Sequence, residues 1–133
     1  MAVGIVDLSD TNVFLEIILS QEKRDVCEQF IERGRGNLGM SDFTLHSIGV
    51  ILFRYNLEAA YDAFVEEALL QVEVFRLPHK EYASLTDIRA RLRFDFDDAY
   101  QLAVAKAFGM RLVTLDAHFR AVHDEAEVLF LAD

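Results

Sequence analysis

Cysteine, proline and tryptophan are almost missing from this chain of 133 residues, which contains one cysteine, one proline and no tryptophan. Because Cys27 is alone, the chain can form neither an internal disulfide nor a zinc site built from several cysteines. A chain without disulfides is typical of a reducing compartment, so we expect the protein in the cytoplasm.

Long hydrophobic runs and a basic leader are also lacking. The longest apolar run, IGVILF at residues 48–53, has six residues, whereas a helix that crosses a membrane needs about 20. The first ten residues, MAVGIVDLSD, contain no lysine or arginine and carry an early aspartate. This start argues against a secretory signal, and we expect no membrane association.

Positive charge is scarce, with 13 lysines and arginines against 23 acidic residues and a formal net charge of −10. A protein that holds nucleic acid tightly through its phosphates normally carries a basic face. The composition therefore argues against a strong general nucleic-acid binder. Any such role would have to be transient, mediated by a metal or assisted by a partner, and a basic protein partner would complement the acidic surplus.

What the chain does contain is a pattern of alternating strands and helices. The hydrophobic fraction of 53% indicates a packed globular fold, and the length indicates one domain over residues 1–133. The predicted strands are residues 3–8, 72–78, 110–116 and 126–132; the predicted helices are residues 9–21, 22–33, 57–70, 79–93 and 95–109; residues 40–56 form a short strand or extended piece and then a helix. This alternation predicts an α/β fold with three layers, α/β/α: a central, mostly parallel sheet of four to five short strands with helices on both faces.

Polar residues mark the predicted helix starts. Ser9 or Asp10 caps the first helix and Ser41 or Asp42 caps the helix within residues 40–56. The helix over residues 95–109 has the strongest signals. We expect Asp95 as its cap, Asp98 as the acid of a capping box and Gly109 as its end.

Three aspartates follow or begin elements that meet at one edge of such a sheet. Asp10 follows the first strand, Asp116 follows the strand RLVTL, and Asp98 lies in the first turn of a helix. If they converge, their mutual repulsion calls for a cation, and oxygen ligands favour Mg²⁺ or Mn²⁺ over zinc. Such an ion can activate water and offset charge on a phosphate, which describes hydrolysis of a phosphodiester.

Each aspartate also has a simpler explanation when it is taken alone. Asp10 can cap a helix, Asp98 can serve only the capping box, and Asp116 can be a turn residue after a strand. Spacing and composition therefore indicate a candidate carboxylate site and go no further. The three aspartates are specific evidence for a functional site only when they are considered together.

That combination resembles the PIN-domain family, and in particular the small VapC-type toxin ribonucleases. The similar segments are DTNVFL from Asp10, DFDDAYQLAVAKAFGMRLVTLDAHF from Asp95 to Phe119, and VLFLAD at the end of the chain. The resemblance implies a doubly wound sheet with an acidic pocket for Mg²⁺ or Mn²⁺. It also implies endonucleolytic cleavage of RNA, control by an antitoxin protein and, with the surplus of apolar helix surface, a homodimer.

Residue by residue, the resemblance assigns the metal and the catalysis to three aspartates and gives supporting roles to two polar neighbours. The family's first, third and fourth acids fall on Asp10, Asp98 and Asp116. Thr114 matches the usual small polar neighbour of the last acid. Asn12 matches the asparagine that braces the loop after the first strand.

The chain departs from the family pattern in FTLHSIGV, where Ser47 stands in place of the usual glutamate. A serine can hydrogen-bond a metal-bound water but supplies no charge, so the pocket keeps three carboxylates. Asp42 and Glu16 are candidate substitutes without a matching position. The alternative function is therefore a PIN-like protein with a degenerate pocket that binds protein or RNA without cutting it.

Two further groups of residues have open interpretations. Arg89, Arg91 and Arg93 could contact RNA, although a solvated helix face that pairs with the protein's own acids explains them better. None of the four histidines has metal-ligand spacing. His118 could touch a substrate, but its position favours an exposed loop histidine.

Overall fold

The protein has one parallel sheet at its centre in the computed structural model, which describes residues 4–131. The strands of these residues are β1 (Asp7–Ser9), β2 (Leu38–Ser41), β3 (Glu73–Phe75), β4 (Arg111–Thr114) and β5 (Val128–Phe130). Their order across the sheet is β3-β2-β1-β4-β5, and every neighbouring pair is parallel. The predicted parallel sheet of four to five short strands is confirmed.

Six α-helices connect or follow these strands within the described residues. They are α1 (Thr11–Ile18), α2 (Arg24–Arg33), α3 (Asp42–Arg54), α4 (Glu58–Ala63), α5 (Leu85–Leu92) and α6 (Phe96–Phe108). After α4 the chain continues through a π-helical turn, Phe64–Ala68, and a 3-10 turn, Leu69–Gln71. The segment predicted as one helix over residues 57–70 is therefore helical but changes its hydrogen-bond register. None of the helices in residues 4–131 is long and apolar enough to cross a membrane.

Helices cover both faces of the sheet, as the alternating pattern predicts. On one face, α5 and α6 pack against Leu8 of β1 and Leu112 of β4. On the other face, α1 and α2 enclose Val113, the next residue of β4, while α3 packs on Met40 of β2. Successive strand residues point to opposite faces, so β4 contributes Leu112 to one core and Val113 to the other.

The helix signals in the sequence are only partly realised. Asp10 caps α1 through its side chain and Ser41 caps α3 in the same way. Gly109 ends α6 at a φ of 63°, in the left-handed region that glycine adopts without strain. Asp95 occupies the N-cap position of α6 as predicted, but the predicted capping box is not formed, since among the described residues the side chain of Asp95 makes no capping hydrogen bond. Its carboxylate lies 3.7 Å from Arg89 instead.

The strands begin and end differently from the predicted ranges. The first strand was predicted over residues 3–8, but β1 begins at Asp7 and includes Ser9. Val3 and Ala132, at the outer ends of the predicted first and last strands, lie outside the described residues. The shift arises because the first strand is bounded by its pairing with both neighbours, which involves Asp7 and Leu8 on one side and Asp7 to Ser9 on the other.

Candidate metal centre

The centre of the sheet contains the point at which the strand order changes direction. From β1, the chain builds outward through β2 and β3 on one side, and later through β4 and β5 on the other. In open parallel sheets, ligands bind beyond the carboxyl ends of the two strands at such a point. Asp10 directly follows β1 and Asp116 lies two residues beyond β4.

Asp10 is a buried carboxylate with three hydrogen-bond donors. The Thr11 backbone N–H donates to Oδ1 at 2.8 Å and the Thr114 hydroxyl donates to Oδ2 at 2.8 Å. The amide of Gln101 also donates to Oδ1, at 3.2 Å. Asp10 is thus both a helix cap and part of the cavity described below, so the two interpretations of this residue are compatible.

Asp98 and Asp116 meet around the side chain of His118. The ring Nδ1 of His118 lies 3.3 Å from Asp98 Oδ2 and 3.3 Å from Asp116 Oδ1. Among the described residues, these three form the one group whose candidate ligand atoms all lie within 4.8 Å of one another. Asp10 is outside this tight group. The spacing of the histidines in the sequence did not reveal His118 as a candidate ligand. Its partner Asp98 is distant in sequence, and its partner Asp116 belongs to the same turn as His118.

All three aspartates nevertheless line one cavity of about 230 Å³. Ser47 of α3 lies in its wall, as does Asp97, the residue before Asp98 in α6. The cavity therefore contains four carboxylates, one of which the sequence analysis did not consider. The sequence did contain a signal for Asp97, because this residue is adjacent to Asp98 in the first turn of a helix.

The clustered charges change the acidity of the site. The pKa of Asp98 is raised to about 6, mainly by burial and in addition by the neighbouring charges of Asp97, Asp116 and Asp10. Burial likewise raises the pKa of Asp10 above its ordinary value, although the hydrogen bond from Thr114 acts in the opposite direction. The carboxylate of Asp116 is the main cause of the raised pKa of His118.

These features fit a divalent cation. Like charges in a cleft oppose one another's ionisation, and a cation would reverse that effect. The donor set consists of carboxylate oxygens with one imidazole nitrogen, and these are ligands of divalent metal ions. In addition, the buried Oε1 of Gln101, a residue in the cavity wall, has no hydrogen-bond partner among the described residues.

Gln101 joins the cavity to a buried network of hydroxyl groups that sequence reasoning missed. Its amide donates to the hydroxyl of Thr44 at 2.6 Å, and the hydroxyls of Thr44 and Thr11 lie 2.9 Å apart. Gln101 is 1% exposed. A glutamine in the middle of the apolar run AYQLAVA is the sequence signal for this network, since a buried amide requires partners.

The loops around the cavity are held by Asn12 and Thr114. The side-chain oxygen of Asn12 accepts from the Leu115 backbone N–H at 3.3 Å. Asn12 therefore braces the loop after β4 from the first turn of α1. The hydroxyl of Thr114 accepts from the Asp116 N–H at 2.9 Å while it donates to Asp10.

The two acids proposed from sequence as substitutes for the missing glutamate lie elsewhere. Asp42 accepts a hydrogen bond from the Tyr100 hydroxyl at 2.7 Å. Glu16 accepts from the Lys23 backbone N–H at 2.7 Å. Neither is in the cavity wall, and Asp97 is the additional acid that the fold places there.

The arginine cluster is for the most part a surface that pairs with the protein's own acids. Arg91 pairs with Asp87 and Glu125, and Arg89 pairs with Asp95. This outcome agrees with the solvated-face interpretation for both residues. Arg93 ends α5 in the left-handed conformation, at a φ of 60°.

Comparisons with known proteins agree with this architecture. The family model described as PIN domain matches residues 8–125, which is most of the chain. The chain therefore belongs to the PIN domain family. No curated protein matches the sequence at a significant level.

Solved structures with the same fold include VapC toxin chains. The DNA-bound VapBC structure from Salmonella typhimurium is similar with a TM-score of 0.78 and 18% identity, covering 96% of this chain and 99% of that chain. VapBC2 from Rickettsia felis, bound to a promoter DNA fragment, is similar with a TM-score of 0.77 and 16% identity, covering 96% of this chain and 100% of that chain. VapC20 from Mycobacterium tuberculosis, described as a sarcin-ricin loop cleaving toxin, is similar with a TM-score of 0.74 and 16% identity, covering 91% of this chain and 98% of that chain.

Proposed function

We propose that the protein is a divalent-metal-dependent endoribonuclease, in which Asp10, Asp98 and Asp116 form the catalytic metal site. One observation carries this proposal. The three carboxylates line a single cavity beyond the carboxyl ends of β1 and β4, in a chain of the PIN domain family. Nucleases of this family use Mg²⁺ or Mn²⁺, and the acidic cavity suits either ion.

The residues of the cavity have different roles in this proposal, as metal ligands or as groups that orient the ligands. Asp98 and Asp116 offer carboxylate oxygens that lie within 4.8 Å of each other, and Asp10 completes the wall. Thr114 orients Asp10, while Asn12 fixes the loop that carries Asp116. A divalent cation held here would supply the Lewis acidity that activates water and offsets charge on the scissile phosphate. No protein nucleophile is required for this chemistry.

We further propose that the protein is the toxin of a toxin–antitoxin pair. Two observations support this role. Similar structures are toxin–antitoxin complexes, including one from Klebsiella pneumoniae with 20% identity and a TM-score of 0.70. The net charge of −10 favours a basic antitoxin over unassisted binding of nucleic acid. The RNA would then be bound transiently, with the metal site as the main contact to its phosphates.

The same proposal includes a homodimer in the cytoplasm, built from one domain over residues 1–133. Apolar side chains are exposed on α3 and shortly after it, where Val50 is 55%, Phe53 58% and Tyr55 64% exposed. An exposed apolar patch of this kind is typical of a protein interface. Light scattering across a concentration series would measure the oligomeric state.

The experiment that tests the nuclease uses mixed structured RNAs with Mn²⁺, Mg²⁺ or EDTA. The wild-type protein should cleave with either ion and lose all activity in EDTA, and Asp10→Asn and Asp116→Asn should be inactive. Asp124→Asn, which changes an exposed acid outside the cavity, is the matched control. Cleavage that persists in EDTA or in both site variants would contradict the proposal, since it would depend neither on the metal nor on the proposed ligands.

A non-catalytic binding module is the second candidate function, and Ser47 is the observation that favours it. Ser47 lies in the cavity wall where the family usually has glutamate, so the site has lost one charge. Ser47→Glu restores that carboxylate. If the wild-type protein is inert and Ser47→Glu cleaves RNA in a metal-dependent reaction, the binding module is the better description.

A further inference from the structure

We propose that His118 is a nitrogen ligand of the cation held by Asp98 and Asp116, and that it gives the site a preference for Mn²⁺ over Mg²⁺. This inference rests on the proposed metal site and goes beyond it, because it adds a ligand of a different chemical class. The all-oxygen site predicted from sequence would have no such preference built into its ligands.

The first support is the position of the ring. Nδ1 of His118 lies 3.3 Å from one oxygen of Asp98 and 3.3 Å from one oxygen of Asp116. In an octahedral site with metal–ligand distances of about 2.1 Å, adjacent ligands are about 3 Å apart. Each carboxylate oxygen therefore lies at nearly the distance from Nδ1 that adjacent ligands have, and candidate ligand atoms of all three residues lie within 4.8 Å of one another.

The second support is the way in which the backbone holds His118. The carboxylate of Asp116 accepts a hydrogen bond from the His118 backbone N–H at 2.8 Å. Through this hydrogen bond, Asp116 caps the 3-10 turn Ala117–Ala121, which contains His118. Asp116 and His118 are thus fixed relative to each other by one short turn. Asp98 comes from α6, on a separate part of the chain, so the fold brings the third ligand to a pair that is already formed.

The third support is access. The side chain of His118 is 71% exposed, whereas that of Asp98 is 12% exposed. An ion can therefore approach from the His118 side without unfolding any element. The imidazole lies at the rim, the carboxylate of Asp116 is half-buried and the carboxylate of Asp98 is buried behind them.

The choice of metal follows from the chemistry of the donor. Mg²⁺ is a hard cation that takes oxygen ligands and gives up its waters reluctantly. Imidazole nitrogen binds first-row transition-metal ions more readily than it binds Mg²⁺. A site with two or three carboxylates and one imidazole accordingly favours a transition metal that also accepts oxygen ligands, and Mn²⁺ is the probe of that class.

The test measures binding rather than cleavage. Dissociation constants for Mn²⁺ are obtained by electron paramagnetic resonance, and those for Mg²⁺ by competition, for the wild type, His118→Ala and His118→Gln. We expect His118→Ala to weaken Mn²⁺ about tenfold or more and Mg²⁺ less than twofold. His118→Gln offers an amide oxygen in place of the nitrogen, so it should recover part of the affinity but not the preference for Mn²⁺. His123→Ala, an exposed histidine outside the ligand group, should behave as the wild type.

A spectroscopic signature separates ligation from a structural role. Pulsed paramagnetic resonance of the wild-type Mn²⁺ complex should show coupling to a directly bonded nitrogen, and both His118 variants should lack it. Three results would overturn the inference. They are a wild-type complex without nitrogen coupling, a ratio of the Mn²⁺ and Mg²⁺ dissociation constants that the His118 variants leave unchanged, and tighter Mn²⁺ binding by His118→Ala. Tighter binding would mean that the ring competes with the ion.

The failure of this inference can be told apart from failure of the proposed function. If Asp116→Asn abolishes Mn²⁺ binding and the His118 variants do not alter it, the metal site stands and only the nitrogen ligand is wrong. If the wild type does not bind Mn²⁺, or if Asp116→Asn binds it equally well, both proposals fail. Circular dichroism in EDTA confirms that each variant is folded.

Discussion

The hydroxyl of Thr114 donates a 2.8 Å hydrogen bond to Oδ2 of Asp10, although the two residues are 104 positions apart in the sequence. The same hydroxyl accepts from the Asp116 backbone N–H. One buried side chain therefore sets the relative positions of the first and the last acid of the candidate site. The fully buried hydroxyl has no solvent to replace these partners.

Thr114→Val should uncouple these two acids while it preserves the shape of the side chain. Loss of the hydroxyl leaves buried groups without partners, so the free energy of unfolding should fall by about 1–3 kcal/mol. RNA cleavage should fall at least tenfold because Asp10 is no longer oriented. Urea unfolding and the cleavage assay measure the two effects. Thr114→Ser keeps the hydroxyl and is the control; equal activity of the two variants would contradict the orienting role.

Asp97→Asn should weaken metal binding although the residue is not one of the three expected acids. Asp97 lines the cavity, and its negative charge contributes to the raised pKa of Asp98. We expect Mn²⁺ affinity to fall severalfold, while the metal-free protein becomes more stable because one repulsion is removed. Calorimetric titration and urea unfolding measure these changes.

Asp95→Asn is the matched control for Asp97→Asn. It removes the same charge two residues away, from a side chain that faces Arg89 and lies outside the cavity that contains the three aspartates, although Asp95 lines an adjoining cavity with Asp98 and His118. Its Mn²⁺ affinity should stay within twofold of the wild type. If both variants lose affinity equally, Asp97 acts only through the overall charge of the protein.

Gln101→Met should separate stability from metal binding. Methionine has nearly the shape of glutamine, and it removes a buried oxygen that has no partner among the described residues. It also removes the donor to Asp10 and Thr44, so the two effects on stability oppose each other and we expect a change of at most about 1 kcal/mol. Mn²⁺ affinity should fall, because Asp10 loses one of its three donors. A large loss of stability with unchanged affinity would show that Gln101 serves only the core.

Stability of the metal-free protein should fall as the pH rises from about 4 to about 6. The pKa of Asp98 is raised to about 6 in the folded state, whereas an unfolded aspartate has a pKa of about 3.9. Between these values the folded state binds the extra proton, and so each increase in pH favours unfolding. The raised pKa of His118 acts with the same sign at higher pH, because its stabilising charge is lost as the pH passes its folded value.

Urea unfolding in EDTA across this pH range measures the effect, with Asp98→Asn for comparison. The variant should show a smaller fall, because Asp10, whose pKa is also raised by burial, still contributes, and Asp124→Asn should retain the whole fall. Added Mn²⁺ should stabilise the wild type increasingly as the pH rises, since the ligands must lose their protons to bind the ion. A wild-type profile that is flat from pH 4 to pH 6 would contradict the raised pKa.

Cys27 should be inert in the folded protein. It is buried between Val13 and Val113, and burial raises the pKa of its thiol to about 11. Because the thiolate is the reactive form, labelling with a thiol reagent at pH 8 should be slow until urea unfolds the chain. Above about pH 9 the unfolded thiol ionises while the folded one does not, so stability should fall there. Rapid labelling of the native protein would show that this core opens.

The fold class could be predicted from sequence because its signals are local. Alternating periodicity indicates strands and helices one segment at a time, and apolar strands without a polar face require cover on both sides. Asp10, Ser41 and Gly109 were predicted correctly for the same reason, since a cap depends on its own turn. Asp95 was also placed correctly at the N-cap of α6, but its side chain makes no capping hydrogen bond and lies 3.7 Å from Arg89, a contact that no local pattern specifies.

The sequence by itself determined that Asp10 and Asp116 follow parallel strands and therefore emerge at one edge. Only the tertiary structure decided which side chains complete the cavity. Asp97 and Gln101 reach the cavity, and His118 reaches Asp98 and Asp116 beside it, through the register of β4 on β1 and the approach of α6 to the sheet. These placements depend on packing between segments about a hundred residues apart, and no local pattern in the chain encodes the distances that result.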